Sequence, residues 1–510
     1  MVFTAERVPR AILHLILGTA GIADAQGVFL PATDIRLRED ISLLADSGCL
    51  RLAVDEWPLP RDEVAGAIAA GHCDGLPDAA LQAALARVVR RTAARADAGN
   101  WRIRATSFTA GQPALLREYD TLGREHGELN LSGGASTGRY DVTLSVTGAA
   151  DPADGQHVRL DGSDASLRLG NWLLGLNQID RWWGPGFAGS LILSNNARPM
   201  PAISLDRIRS PPPVLPWLRW LGPWRFSWFF ALGEQHRPDV DQPLFMGMRL
   251  SFKPSPWLEL GLSRSAQFCG KGRRCTPLTF GRMLVGEDNV QENGVNGLNN
   301  PSDEPGNQMS GFDLRLTSPW KALPAVLYGQ AIGEDNSQLS LPIRYLIQLG
   351  AQTWWTLGGT TLRGYVEFTD TATNVYGFWH FRDPSPGFRT DYAYRNHIFF
   401  AGYTYRGRTI GHTTDSDSKT TTTGLSLTAS DGARWAVQWL ESMLDRRGIP
   451  DIYDPVTFGP SHYHSLQLSW DGKVLDQDIS VQIGHQRQAP SSAGSANGLF
   501  GFLQWRKALD

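Results

Sequence analysis

The strongest constraint on this chain is the period of its hydrophobic pattern, which shortens to two residues at Trp101 and stays there to the end. Tyr140, Val142, Leu144 and Val146 alternate with Asp141, Thr143, Ser145 and Thr147. Phe312, Leu314 and Leu316 alternate in the same way with Asp313, Arg315 and Thr317. Trp435, Val437 and Trp439 oppose Arg434 and Gln438, Leu466, Leu468 and Trp470 oppose Ser465, Gln467 and Ser469, and Ile479, Val481 and Ile483 oppose Asp478, Ser480 and Gln482. Successive side chains of a strand point to opposite faces, so every such segment carries one apolar and one polar face, the signature of an antiparallel sheet.

The connections say which kind of sheet. From Trp224 onward, candidate strands fall at 224–233, 244–252, 257–264, 309–317, 324–333, 343–352, 359–369, 396–405, 408–413, 419–429, 434–442, 462–470, 477–487 and 498–507. Short gaps at 253–256, 318–323, 353–358, 406–407, 430–433 and 471–476 alternate with longer ones at 265–308, 370–395, 443–461 and 488–497, with shorter members of the long side at 234–243, 334–342 and 414–418. Short turns at one end and long loops at the other are the habit of outer-membrane barrels, and a soluble sandwich has no need of that parity. Four to six further strands fit between 101 and 208, giving about 18–20 around the ring, at roughly 23 residues per strand plus connection, enough for ~10-residue spanning strands. Trp354, Trp355, Phe399, Phe400, Trp470 and Trp505 lie near strand ends, as interfacial girdles require. Two features depart from the pattern: the last strand ends Trp505-Arg506-Lys507-Ala508-Leu509-Asp510 without a terminal aromatic, and 225–232 is more continuously apolar than clean alternation.

The N-terminus fits an exported barrel. Arg7 and Arg10 precede an apolar run from Ala11 to Ile22 and a small-x-small site, Ala23-Asp24-Ala25, so residues 1–25 read as a signal peptide cleaved near Ala25. No later stretch is apolar enough for a spanning helix; the best, Val214 to Gly233, contains Arg219, Arg225, Pro216 and Pro223. A closed barrel is the other structure that satisfies its backbone in lipid. With 48 Lys+Arg against 51 Asp+Glu, the net charge of −3 excludes the basic footprint of a nucleic-acid binder.

Residues 26–100 read as a periplasmic three-helix region ahead of a barrel at 101–510. The first helix starts from a Thr33/Asp34 cap, carries Leu37, Ile41 and Leu44, and stops at Gly48. The second has Pro60 in its first turn, carries Val64 and Ile68, and stops at Gly71; the third starts at Pro77-Asp78, carries Leu81, Leu85 and Val88, and stops at Gly99. Arg87, Arg90, Arg91 and Arg95 form a basic face on the third helix, read as solvated, with contact to an acidic partner as the sharper alternative. Cys49 and Cys73 lie just beyond helix ends, and Cys269 and Cys275 close a small loop around Lys271, Arg273 and Arg274. Pairing within these local couples is expected in an oxidising compartment, although four cysteines allow three connectivities.

A scan for chemistry gives little. Gly134-Ala135-Ser136-Thr137-Gly138 matches the G-x-S-x-G pattern but lies between two strands instead of on a strand-to-helix elbow. His462 and His464 share a strand face without an evident third ligand, and Asp415-Ser416-Asp417-Ser418-Lys419 lacks the Gly and Glu of a calcium loop and reads as a polar turn. No catalytic residue, metal site or cofactor is expected.

One motif is specific. Asp180-Arg181-Trp182-Trp183-Gly184-Pro185-Gly186-Phe187 continues through Ser190-Leu191-Ile192-Leu193-Ser194-Asn195-Asn196-Ala197-Arg198-Pro199-Met200-Pro201, followed by Leu221-Gly222-Pro223-Trp224. Downstream are Gly286-Glu287-Asp288-Asn289, Glu304-Pro305-Gly306-Asn307-Gln308 and Gly311-Phe312-Asp313. With the signal peptide and the helical preface, the chain resembles the capsule assembly Wzi family over essentially its whole mature length. The resemblance implies an 18-stranded outer-membrane barrel with a small periplasmic helical bundle, acting as a lectin that helps hold capsular polysaccharide at the cell surface.

Glycan binding needs flat aromatic faces for sugar rings and cations for any uronate carboxylate. The long-loop side offers Lys271, Arg273 and Arg274; Tyr376, Trp379, His380 and Arg382; Arg389, Tyr392 and Tyr394; and Arg446, Arg447 and Tyr453. The motif residues Asp180, Arg181, Trp182, Trp183, Gly184, Pro185, Gly186, Asn195, Asn196, Arg198 and Pro199 fit scaffold packing or binding. The expectation is a non-enzymatic outer-membrane lectin for an acidic capsular or exopolysaccharide, in contact with outer-membrane lipid and a periplasmic export-machinery partner. A substrate-selective channel of the same architecture is the alternative, and a hydrolase the remote third.

Overall fold

The computed structural model describes residues 27–509 except 77, 93–99, 111–112, 120–122, 286–305, 321, 337–341, 375–389, 391, 449–450 and 491–495. The leader and its cleavage site therefore lie outside the described residues.

Among the described residues one antiparallel sheet has 18 strands around its ring. The first six are β1 (Asn100–Ala110), β2 (Gly127–Ser136), β3 (Tyr140–Ala150), β4 (Ser163–Leu169), β5 (Trp172–Gln178) and β6 (Ala202–Arg207). The next six are β7 (Trp224–Leu232), β8 (Leu244–Ser255), β9 (Leu258–Phe268), β10 (Gly306–Thr317), β11 (Ala325–Asn336) and β12 (Pro342–Leu357). The last six are β13 (Thr360–Asn374), β14 (Lys419–Thr428), β15 (Arg434–Leu444), β16 (Ser461–Val474), β17 (Gln477–Ala489) and β18 (Gly498–Leu509). A two-residue piece, Val158–Arg159, pairs with β3 beside β4. Each strand pairs with the next, and β18 pairs with β1, Leu503 opposite Ser107, so the ring returns on itself.

The parity of the connections holds, with one correction. The expected strands at 396–405 and 408–413 are not in the ring: they form a short hairpin, Thr404–Tyr405 against Arg408–Thr409, inside a long loop-side connection between β13 and β14. Their apolar residues face a filled lumen from within instead of lipid, which produces the same composition without the ladder. Phe399 is buried there, and Trp354 points inward, so neither belongs to a girdle; Trp355, half exposed, faces outward.

Alternation sorts the wall into two environments. Leu262, Phe312, Leu327, Leu349, Val366, Leu466, Leu468 and Ile483 point outward and are exposed, while the inward positions are polar and mostly buried, as at Ser263, Asp313, Gln348, Glu367 and Gln482, and half-buried at Ser465, Gln467 and Ser469. The continuous apolar run on β7 has a physical reason: its inward Phe229 packs on Trp183 and Phe245, while its outward Trp228 and Phe230 meet lipid-side apolar groups. Part of that outward surface is covered by a fourth helix, Pro277–Val285, whose Phe280 stacks near Phe230 and Phe268. Its last carbonyls, Met283 O and Leu284 O, accept from the outward Arg264, which satisfies a guanidinium that bare lipid would penalise.

At the turn end sit α1 (Ile35–Asp46), α2 (Arg61–Ala69) and α3 (Ala79–Thr92). Asp34 caps α1 by accepting from Leu37 N at 3.1 Å, and Pro60 precedes α2. Cys49 is bonded to Cys73 and Cys269 to Cys275. The expected basic face of α3 is largely spent inside the fold: Arg87 pairs with Asp40 at 2.6 Å and donates to Ser430 O, and Arg91 pairs with Asp34 at 2.6 Å. Arg90 stays exposed, and Arg95 lies outside the described residues.

Candidate functional site

The lumen is filled from both ends, and what remains accessible defines the site. On the turn side the helical module is gripped by inward arginines of the wall. Arg434 reaches Glu39 at 3.1 Å, Arg315 reaches Asp46 at 2.6 Å, and Arg225 reaches Glu63 at 3.0 Å. Glu56 accepts from Ser227 and Ser251 at 2.6 and 2.5 Å with Arg225 and Arg249 close by, and Glu259 accepts from Val54 N and Asp55 N. Isolated buried charges are expensive, so this interface fixes one register of module against wall. Sequence reasoning did not find it, although acids on an otherwise buried α1 and arginines on the polar face of successive strands were the available signal.

From the loop side two segments descend. Residues 181–200 are buried throughout. Trp182 and Trp183 pair with Trp57 and Glu56 of the module. Gln330 bridges Trp183 O and Leu191 N, Gln348 donates to Gly189 O, and Glu367 accepts from Phe187 N and Ala188 N. Arg38 of α1 donates to Pro185 O and Gly186 O and lies over the rings of Tyr119 and Phe187 at 4.2 and 4.7 Å. A Cβ on Gly186 would stand 2.4 Å from Gly189 O, which is why only glycine fits where the motif turns beneath Gln348. Arg181 lies over Phe229 and donates to Asn177, and Asp180 faces Arg124 at 3.6 Å. Asn195 and Asn196 donate to Ala32 O and Thr409 O. Arg198, beside Asp154 and Asp161 at 2.5 and 2.7 Å, is held protonated above the ordinary guanidinium range.

The second segment, 392–418, lies across the first. Tyr394 and Tyr403 stack 5.7 Å apart and donate to Leu191 O and Ile192 O. The Asp415–Lys419 stretch, expected as a polar turn, is buried up to Ser418: Arg395 holds Asp415, Asp451 and Asp454 at 3.0–3.3 Å, and Arg447 holds Asp445 and Asp451. Burial and the neighbouring Asp415 push Asp454 up to about 7.

A family model described as capsule assembly protein Wzi matches residues 94–494, which span nearly the whole ring. The chain belongs to the capsule assembly protein Wzi family. A Klebsiella pneumoniae relative, an uncharacterized 55.8 kDa protein in the cps region, is 31% identical over 377 residues, covering 73% of this chain and 71% of the relative. The solved structure of Wzi of Escherichia coli, an outer membrane protein involved in group 1 capsule assembly and a carbohydrate-binding β-barrel, matches with a TM-score of 0.80 at 25% identity over 94% of this chain and 99% of that one. The ring described above is thus an outer-membrane β-barrel.

Within this Wzi-family barrel the loop-side candidates divide. Tyr376, Trp379, His380, Arg382 and Arg389 lie outside the described residues. Tyr394 is fully buried in the plug, and Arg447 is engaged by aspartates beneath the surface. Arg446 pairs with Asp370 at 2.5 Å. Tyr392 is half-buried. Tyr453 remains available: it is 36% exposed and meets Phe400, 40% exposed, edge to face at 5.1 Å, with Ile452 and Phe458 exposed on the same connection. Sequence reasoning placed Phe400 in a girdle and missed this pair. Of the cations, Lys271 and Arg274 are exposed, Lys271 3.6 Å from Asp241, and the Arg273 guanidinium lies 5.8 Å from the Phe399 ring, one residue from Phe400.

Proposed function

We infer that this chain is a non-enzymatic surface lectin that binds an acidic capsular or exopolysaccharide on its loop-side face and helps attach the polymer to the cell. The match to Escherichia coli Wzi carries the reading, since that relative is a carbohydrate-binding barrel of the same architecture. The local chemistry supports it. Phe400 and Tyr453 present aromatic faces to sugar rings, and Arg273, with Lys271 and Arg274 on the same disulfide-closed loop, offers guanidinium and ammonium donors to uronate carboxylates. Each contact is weak, and a repeating polymer engages many barrels, so retention comes from avidity. The motif residues act as scaffold that keeps the loops in place. The module lies periplasmic in this reading, where its turn-side face would meet an export-machinery partner.

The test is binding of the detergent-purified chain to capsular polysaccharide from its own host, with neutral dextran as control. Selective binding is expected, reduced about tenfold, roughly 1.4 kcal/mol, by Phe400→Ala with Tyr453→Ala. Substituting glutamine at Lys271, Arg273 and Arg274 together should weaken it more at low salt than at high. Absent binding, with steady open-channel current in a planar bilayer, would replace the lectin with a substrate-selective channel.

A further inference from the structure

The outward face of β15–β18 is stratified in a way the lectin reading does not use. The hydrogen-bond register sets the side chains in rows. Nearest the loop end, Met443, His462 and Ala489 stand side by side; the next row is Glu441, His464 and Arg487. Below come Trp439, Leu466, His485 and Leu499, then Val437, Leu468, Ile483 and Gly501. Rows are two residues, roughly 7 Å, apart along a strand. His462, His464, His485, Arg487 and Glu441 are all exposed, as are Leu466, Leu468 and Ile483 beneath them.

These polar groups are not in the lumen and not on the loops. They share the wall whose neighbouring positions are exposed leucine and isoleucine, that is, the face a bilayer covers. A cation on that face costs about 2–4 kcal/mol at the midplane and close to nothing at the interface. The row of His464 and Arg487 therefore marks the outer headgroup level, with acyl chains beginning at Leu466 and Ile483. Among the described residues no group of three or more His, Cys, Asp or Glu is placed to hold a metal ion. What Arg487, His464 and His462 offer together is N–H donors above an apolar surface, with His485 one row lower beside Leu466. The planar guanidinium matches a phosphate through two parallel bonds, and Glu441, the one acid in the row, lies on the far side of His464 from Arg487.

We propose that this face binds a phosphorylated glycolipid of the outer leaflet, its phosphate on Arg487 and the β16–β17 histidines and its acyl chains on Leu466, Leu468 and Ile483. Position, charge and continuity with the lipid-facing wall all select this occupant over a soluble anion or a protein. The site is separate from the glycan face, so the barrel would hold its own lipid at the wall while the loops hold the polymer.

The experiment is native mass spectrometry of the full chain in detergent, titrated with diphosphoryl lipid A and, in parallel, with lipid A stripped of its phosphates. One diphosphoryl lipid is expected to survive detergent removal, with the dephosphorylated form retained about tenfold less. Arg487→Gln with His464→Gln should erase that preference, and Arg487→Lys, which keeps the charge, should restore part of it. Because these side chains project from the wall, circular dichroism identifies any variant that has not folded; His462→Gln with His485→Gln then provides the second pair for the same titration. Equal retention of the two lipids by the unaltered chain, or undiminished preference in both folded glutamine pairs, would overturn the proposal.

Discussion

The two fillings of the lumen are built on different principles. The turn-side module packs its helices around Ile41, Leu44, Trp57 and Val64, a core that continues into Trp182 and Phe187 of the plug and Tyr328 and Trp354 of the wall, and ion pairs tie it to the wall. The loop-side plug has little regular structure: Leu191, Ile192, Tyr394 and Tyr403 pack on Phe229, Phe245 and Leu346 of the wall, and its backbone is held bond by bond by Gln330, Gln348, Glu367 and two tyrosines. Helices satisfy their own backbone, so the module needs only orientation from its surroundings, and a few ion pairs supply that. A segment without helices or strands must have its backbone polar groups satisfied one by one. Arg38 joins the two, reaching from α1 to the plug at Pro185 and Gly186.

The sharpest way to break the contrast is to remove one charge from the module's grip. Glu56→Ala leaves Ser227 and Ser251 without their acceptor while Arg225 keeps Glu63 and Arg249 keeps Asp313, so the cost should fall at the low end for a buried pair broken from one side, about 3 kcal/mol. Glu56→Ala should lower the thermal midpoint of the detergent-solubilised barrel and expose the module to protease; an unchanged midpoint would mean that apolar packing around Trp57 does the holding. Next in size is Cys49→Ser with Cys73→Ser. The bond closes a 24-residue separation, so its loss should cost about 3 kcal/mol, felt in the module and not in the plug. Chemical reduction followed by limited proteolysis reads this directly.

A backbone-level change should strike the plug instead. Gly186→Ala puts a methyl 2.4 Å from Gly189 O and 2.7 Å from Gln348, an overpacking that costs typically 1–3 kcal/mol. The expected result is earlier proteolysis within 179–201 while α1–α3 stay protected, and simultaneous loss of both would show the plug and the module to be one cooperative unit through Arg38.

The same contrast explains what could be read from the sequence. Period-two alternation and turn parity are local signals, and they located twelve strands after Trp224 because each presents one face to lipid and one to a polar interior. The module was legible from Asp34, Pro60 and the spacing of Leu37, Ile41 and Leu44, since caps and stripes are also local. The plug was not: 396–413 alternates like a strand because Phe399, Tyr403 and Tyr405 are buried against the second filling, and only the three-dimensional enclosure distinguishes that from a ladder. The exposed Phe400–Tyr453 pair joins residues 53 positions apart on two connections, and Arg446 and Arg447, which look like solvent-facing cations, are drawn to Asp370 and Asp445 by folding.

The smallest effect expected is a pH dependence that the unaltered protein conceals. His412, wholly buried with its ring against Gly189, is pushed down to about 3 by burial, whereas Asp454 is pushed up to about 7. The imidazole is neutral in the fold and gains a proton near pH 6.5 when unfolded, so its contribution is present above that pH and is lost as pH falls toward 3. The carboxyl does the reverse: its contribution is present below about pH 4 and is lost as pH rises through 7. Between pH 6.5 and 4 the two slopes oppose each other at about 1.4 kcal/mol per pH unit each, and the plug's stability should be nearly flat. Replacing one partner uncovers the other. Asp454→Asn should make the thermal midpoint fall as pH drops from 6.5 to 5, and His412→Asn should make it rise over the same interval. Parallel slopes in the two variants would mean that the titration reaches the plug through groups other than these.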